Sequence, residues 1–235
     1  MVRLWIDTDA GDNPDDELAI LAATSHPDID LVGISTVSGD VGWRAEFVRG
    51  LLNEVGVPVP LVYAGPPDPR ALAAAEALLA IGPLSNLAAL MRLGVDLPPT
   101  AVMGGAFEPT IHRGELCDLE TNFVADPLAA AVVLAEASDL LIVPLDVTAT
   151  MVMNANTVAR LESIPALGRS LTAWRSRDRA IVAHDPLALL ALVGEHVSVG
   201  RKRVAVTVEG RSVVDERDGT AVAVLTGCAD PVNPT

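Results

Sequence analysis

The chain has 235 residues, half of them hydrophobic and only 3% aromatic, which fits a single α/β domain over residues 1–235 with an aliphatic core. Its formal charge of −15 excludes nucleic acid as a partner unless a local basic patch intervenes. Cys117 and Cys228 have no metal-ligand or redox spacing, and no apolar run reaches the roughly 18 residues of a membrane span. The start MVRLWIDTD lacks a signal-peptide plan, so the expectation is a soluble cytoplasmic protein with no membrane partner.

In chain order, residues 3–6 read as a short buried strand, followed at 7–16 by Asp7-Thr8-Asp9-Ala10-Gly11-Asp12-Asn13-Pro14-Asp15-Asp16. A helix is predicted over 15–23, a strand over 31–37 and a helix over 45–53. Gly-Pro-Pro-Asp-Pro at 65–69 reads as a linker, followed by helices over 71–79 and 86–91. A strand over 100–103, a helix over 127–136, a strand over 140–145 and a helix over 186–192 complete the alternation. At the end, residues 204–208 and 212–214 flank Glu209-Gly210-Arg211 as a small C-terminal hairpin. Short apolar strands alternating with helices predict an open, mostly parallel sheet covered on both faces. The polar and Gly-rich segments after the strands should then gather at the carboxyl rim, where such sheets bind ligands.

Residues 7–16 hold five carboxylates in ten positions. Packed at a strand-to-helix turn, they repel one another and raise each other's pKa, a cost that a cation removes. Oxygen ligands without nearby Cys or His point to a hard ion, Ca²⁺ or Mg²⁺. The bland alternative is a solvated loop whose Asp15 and Asp16 favour a helix dipole.

Five further segments make the pattern more specific: residues 33–40 (GISTVSGD), 82–87 (GPLSNL), Met103-Gly104-Gly105, Glu120-Thr121-Asn122 with Asp126-Pro127, and His184-Asp185-Pro186. In this order they resemble the calcium-dependent, inosine-uridine-preferring nucleoside hydrolases, over most of the chain. The resemblance implies a nucleoside hydrolase-like fold, a small-molecule nucleoside as partner, and hydrolysis of its N-glycosidic bond to ribose and base in purine or pyrimidine salvage. It implies one Ca²⁺ held by Asp9, Asp16, Asp185 and the main-chain carbonyl of Ile81. Asp9 would also be the general base, and His184 an acid near the leaving base. Asp15, Asp40, Met103, Glu115, Glu120 and Asn122 fall at substrate-binding positions. A homo-oligomer is left open.

The departures are specific. Asp12-Asn13-Pro14 stands where the family has one residue, a two-residue insertion that Pro14 tolerates at the first turn of a helix. Asp40 stands where an asparagine is usual, Glu115 or Gly114 beside it where another is usual, and Thr121 where a phenylalanine is usual. The chain lacks a segment and helix between Tyr63 and Ile81 and a closing helix after Ala229. An open base site follows, with recognition led by the ribose.

Bland readings stand beside these roles: His184 as an ordinary helix-start residue, Asp185 as an N-cap, Gly104-Gly105 as a tight turn. Arg175, Arg177 and Arg179 read as a solvated helix face, or as a clamp for a phosphate or carboxylate. Trp174 stacks on the base or belongs to the core. His26, His112 and His196 show no partner pattern. Two rival functions remain. One is a catalytically weak nucleoside- or ribose-binding protein, against which intact Asp9, Asp16, Asp185 and His184 count. The other is a haloacid-dehalogenase-like enzyme with Asp7 as nucleophile, which needs a catalytic lysine where the chain has only Lys202.

Overall fold

Alternation along the first strand, β1 (Val2–Thr8), sets the architecture: Leu4 and Ile6 enter one core and Trp5 the other, all three fully buried. A strand buried on both faces needs helices on both sides. The computed structural model describes residues 1–112, 114–177, 179–194 and 197–228. After β1 come α1 (Pro14–Ser25), β2 (Ile29–Thr36), α2 (Val41–Val55), β3 (Leu61–Ala64) and α3 (Pro69–Leu72). Next are β4 (Ala77–Ala80), α4 (Ser85–Arg92), β5 (Thr100–Met103), the hairpin strands β6 (Thr110–His112) and β7 (Glu115–Cys117), α5 (Thr121–Ala125) and α6 (Pro127–Glu136). The chain continues with β8 (Leu140–Val143), α7 (Leu145–Thr148), α8 (Ala155–Glu162), α9 (Pro165–Arg175) and α10 (His184–Leu192). Three antiparallel-paired strands follow: β9 (Val197–Val206), β10 (Ser212–Val214) and β11 (Thr220–Cys228).

The nine-stranded sheet runs β10-β9-β11-β8-β5-β4-β1-β2-β3. From β11 to β3 all neighbours are parallel; β9 runs against them, antiparallel to both β11 and β10, so β10 again points the same way as β11. The chain leaves β1 toward β2 and β3, then returns on the other side as β4. The carboxyl ends of β1 and β4 therefore form a switch point, the usual ligand crevice of an open α/β sheet. Helices α1, α2, α9 and α10 bury Leu4, Ile6 and Leu79; α4 and α6 bury Trp5, Leu78 and Ala80. Among the described residues no helix is long and apolar enough to cross a membrane.

Four expectations are corrected. Residues 71–79 are not one helix: only Pro69–Leu72 is helical, and Ala77–Ala80 is the fully buried strand β4 between β1 and β5. Its ladder bonds and two-sided burial override the helix propensity of Ala and Leu. The strand expected over 140–145 stops at Val143, because Pro144 caps α7. The C-terminal hairpin exists, with Ser212 opposite Val206, but it is not an appendage, since β11 joins it to β8 in the main sheet. Finally, α8 and α9 occupy a stretch where no element was expected, and α9 packs on α1 and α2. His196 lies outside the described residues.

Candidate active site

The Asp-rich loop leaves β1 at the switch point. Asp7 stays inside the sheet, where its Oδ1 accepts hydrogen bonds from the Ser35 hydroxyl and from the Asn86 amide at 2.8 Å. Ser35 in turn accepts from the Trp5 indole at 3.0 Å. Asp7 Oδ2 is buried without a hydrogen-bond partner, and burial pushes this carboxyl up to about 7. Asp7 thus anchors the strand end rather than facing substrate.

Beyond Asp9 the chain turns at Gly11, whose φ of +116° and contact with the Trp43 ring leave no room for a side chain. Asn13 precedes α1 and Pro14 occupies its first turn, which leaves Asp15 and Asp16 in that same turn, both buried. One buried side chain fixes the loop. Arg44 of α2 donates to the carbonyls of Asp9, of Ala10 at 2.9 Å and of Ser38 at 2.9 Å. It also pairs with Asp12 at 2.6 Å.

Asp15 and Asp16 at the start of α1 meet Asp185 at the start of α10, all three buried, with one carboxylate oxygen from each within 4.8 Å of the others. Asp185 therefore lies inside α10 and does not cap it; Ala183 holds the cap position. At an effective dielectric of about 20, two unit charges about 5 Å apart repel by about 3 kcal/mol. Burial first, then the neighbouring carboxylates, hold Asp16 and Asp185 well above the usual carboxylate range. Asp9 is pushed up to about 6 by burial, against the attraction of Arg44. Thr8 donates to Asp16 at 2.5 Å, fixing one carboxylate oxygen. Ile81, just beyond β4, lines the same cavity, and its carbonyl accepts from Asn122 Nδ2 at 3.2 Å. Buried carboxylates and a carbonyl form an oxygen-only donor set, which fits a hard divalent cation and not zinc.

These groups floor a cavity of about 540 Å³ that Asp9, Met103, Glu115, Glu120, Asn122 and His184 also line. The structure thus gathers every expected site residue except Asp40. Asp40 is exposed, lies away from the cavity, and caps α2 by accepting from Trp43 N at 2.9 Å. Asn122 also donates to the Met103 carbonyl at 3.1 Å. Glu120 caps α5, accepting from the backbone of Asn122 at 2.7 Å, Phe123 at 3.0 Å and Gly105 at 3.1 Å. Burial outweighs these bonds and pushes Glu120 up to about 7.

At the opposite wall, His184 Nδ1 is 2.7 Å from the Thr148 hydroxyl, and its ring meets His112 edge-on at a centroid distance of 5.0 Å. The exposed β6–β7 hairpin brings His112 and Glu115 to the cavity. Trp174 near the end of α9, and Arg177 and Arg179 from the segment after it, line the cavity, whereas Arg175 turns away and pairs with Glu162 at 2.7 Å. Thr148, His112 and Arg44 are the site residues that sequence reasoning missed. His112 and Arg44 had no local signal, because distant elements bring them in.

Comparison with known proteins places this geometry. The sequence model of the inosine-uridine preferring nucleoside hydrolases matches residues 70–232. The chain belongs to that family. Its members hydrolyse ribonucleosides to ribose and free base, and the family is metal-dependent. An uncharacterized protein of Schizosaccharomyces pombe is 27% identical, the alignment covering 91% of this chain and 89% of that protein. The pyrimidine-specific ribonucleoside hydrolase RihB of Escherichia coli strain SE11 is 29% identical over 68% of this chain and 64% of its own length. The solved purine-preferring ribonucleoside hydrolase of Gardnerella vaginalis shares the fold, with TM-score 0.80, 21% identity, and 97% and 94% of the two chains covered.

Proposed function

We propose that this nucleoside hydrolase cleaves the N-glycosidic bond of ribonucleosides with water, in a site that uses Ca²⁺. The observation that carries the reading is the meeting of the Asp15, Asp16 and Asp185 oxygens, in one cavity with Asp9, Ile81 and His184. When bound, a hard divalent cation would supply charge that holds vicinal hydroxyls and makes a water more acidic. Asp9, Asp16, Asp185 and the Ile81 carbonyl are the groups to hold it.

The chain's own residues do the rest. Asp15 and Asn122 accept and donate hydrogen bonds to ribose hydroxyls, with Glu120 and Met103 closing the sugar side. Asp9 takes a proton from the attacking water, for which a carboxyl raised toward neutrality is a better base. As oxygen bonds to the anomeric carbon, the carbon–nitrogen bond breaks and its electron pair leaves with the base. His184 stands on that side to give the base a proton.

The relatives differ in base preference, one pyrimidine-specific and one purine-preferring in name, so the base is left to measurement. The test is a ribonucleoside panel with Ca²⁺ or with chelator, assayed for reducing sugar. Release of ribose only with metal supports the reading. Binding without cleavage of any nucleoside would leave a binding protein.

A further inference from the structure

The two ends of the cavity have opposite charge. Its floor is carboxylate; its rim carries two guanidiniums in a chain of net charge −15 with a single lysine. We propose that Arg177 and Arg179 form an anion-recognising subsite for the leaving group, so that this enzyme prefers ribosides whose heterocycle carries a carboxylate. The proposal rests on the hydrolase reading above and names the substrate class of the same site.

Three observations carry it. First, Arg177 and Arg179 line both the main cavity and a second cavity of about 630 Å³ beside it. The wall the two cavities share is made of His112, Glu115, Arg177 and Arg179, two fixed cations against one exposed carboxylate. Second, no ion pair with a described carboxylate engages either guanidinium, whereas Arg175 is held by Glu162 and Arg169 by Glu54. Third, Arg179 is positioned. Its guanidinium lies 4.7 Å from the Trp174 ring centroid, and that indole is itself fixed by donating from Nε1 to the Ala180 carbonyl at 3.0 Å. A guanidinium stacked by its face keeps its edge N–H groups available for a planar anion.

The second cavity continues past the arginines onto apolar wall. Val152 and Val182 pair across an isolated bridge there, which also ties down the start of α10 and with it His184. A heterocycle leaving His184 would meet apolar surface with a cationic edge. That combination suits a ring bearing a carboxylate, which a guanidinium fork binds through two hydrogen bonds. It also suits the reaction. As the glycosidic bond breaks, the electron pair collects on the ring nitrogen, and guanidiniums placed beside the growing charge stabilise it without giving up a proton. A 5′-phosphate offers the same anionic chemistry from the sugar side.

The test compares 5-carboxyuridine with its neutral isostere 5-carbamoyluridine at saturating Ca²⁺. Native enzyme should favour the carboxylate by about tenfold or more in kcat/KM. The ratio should collapse toward one in Arg177→Gln/Arg179→Gln and persist in Arg175→Gln, which lies outside both cavities. Because substituents also change leaving-group reactivity, an equal ratio in native and double-variant enzyme overturns the proposal. Uridine 5′-monophosphate is the second arm: if the double variant loses affinity for it and not for the carboxylated base, the anion is a sugar phosphate and the leaving-group assignment is wrong. Calorimetry with free 5-carboxyuracil separates the two levels of the argument. Arginine-dependent binding of this base without cleavage of any nucleoside would sink the hydrolase reading and keep the subsite. Cleavage of uridine with no binding of 5-carboxyuracil would sink the subsite alone.

Discussion

The floor and the rim of the cavity are built on different principles. The floor lies at the ends of β1 and β4 and the starts of α1 and α10, where the backbone is paired in a buried ladder and Asp15, Asp16 and Asp185 are buried. The rim is made of an exposed two-stranded hairpin and the link from α9 to α10, held by a few contacts such as Arg179 on Trp174. Rigid elements hold groups to the tolerance that chemistry needs, while segments with few buried contacts adapt to what is bound. The floor therefore accounts for the reaction shared with the family, and the rim for the choice of leaving group.

The largest test of this division is removal of one substrate hydroxyl. If the floor recognises the ribose diol, 2′-deoxynucleosides should fall by about 10⁴-fold in kcat/KM, as expected for a site built to hydrogen-bond a hydroxyl. Efficient deoxynucleoside cleavage would break the comparison at its root. Next, Asp9→Asn should lower kcat by about 10²- to 10⁴-fold, the usual contribution of a general base, with little change in KM when metal is saturating. Near-native kcat would place the base elsewhere. Arg44→Met should cost about tenfold in kcat/KM and loosen metal binding, because three contacts that hold the loop after β1, and a fourth that ties it to Ser38, disappear together. A metal titration alongside steady-state kinetics reads both effects.

A pH series sharpens the same contrast. Asp7 and Glu120 are pushed up to about 7 and Asp9 to about 6, with Asp16 and Asp185 raised as well, from usual values near 4. The folded metal-free protein then binds more protons than the unfolded chain between about pH 4 and 7, so these groups stabilise it less as pH rises through that window. A bound cation needs its ligands ionised and competes with those protons. The rise in Tm produced by Ca²⁺ should therefore grow from pH 5 to pH 7.5; a constant or shrinking rise would contradict the buried floor. The smallest effect belongs to Asp40, which caps α2 away from the cavity. Asp40→Ala should cost about 1 kcal/mol of stability and leave kcat/KM unchanged.

How much of this was legible in sequence follows the same line. The floor was readable because its residues sit beside strand ends and helix starts, so short motifs fix their direction: Asp9, Asp16, Ile81, Asn122 and Asp185 meet in one cavity. Asp40 follows a strand too, but its side chain turns back onto its own helix, a choice between capping and facing substrate that type and position do not decide. β4 was hidden because Ala77-Leu78-Leu79-Ala80 suits helix or strand, and only the ladders to β1 and β5 settle it. Helix α9 did carry a signal, with buried Leu167, Leu171 and Trp174 at helical spacing, and in β11 buried Val222 and Val224 flank the less buried Ala223. The rim was the least legible part. Arg44 acts across 32 to 35 residues, and His112 comes from a hairpin with no core of its own. Of the two arrangements the sequence left for the base side, an open site or one built by Trp174 and the arginines after it, neither could be chosen without the placement of Trp174, Arg177 and Arg179 on the cavity.

The central claim is that the buried carboxylates hold one hard cation on which turnover depends. Calorimetric titration of Ca²⁺ into the native protein and into Asp185→Asn, with nucleoside hydrolysis followed on the same samples, tests it most directly. The account predicts a single site in the native protein, loss of that site in the variant, and loss of ribose release with it. Equal calcium affinity in both proteins, or full hydrolysis in the presence of chelator, would contradict it.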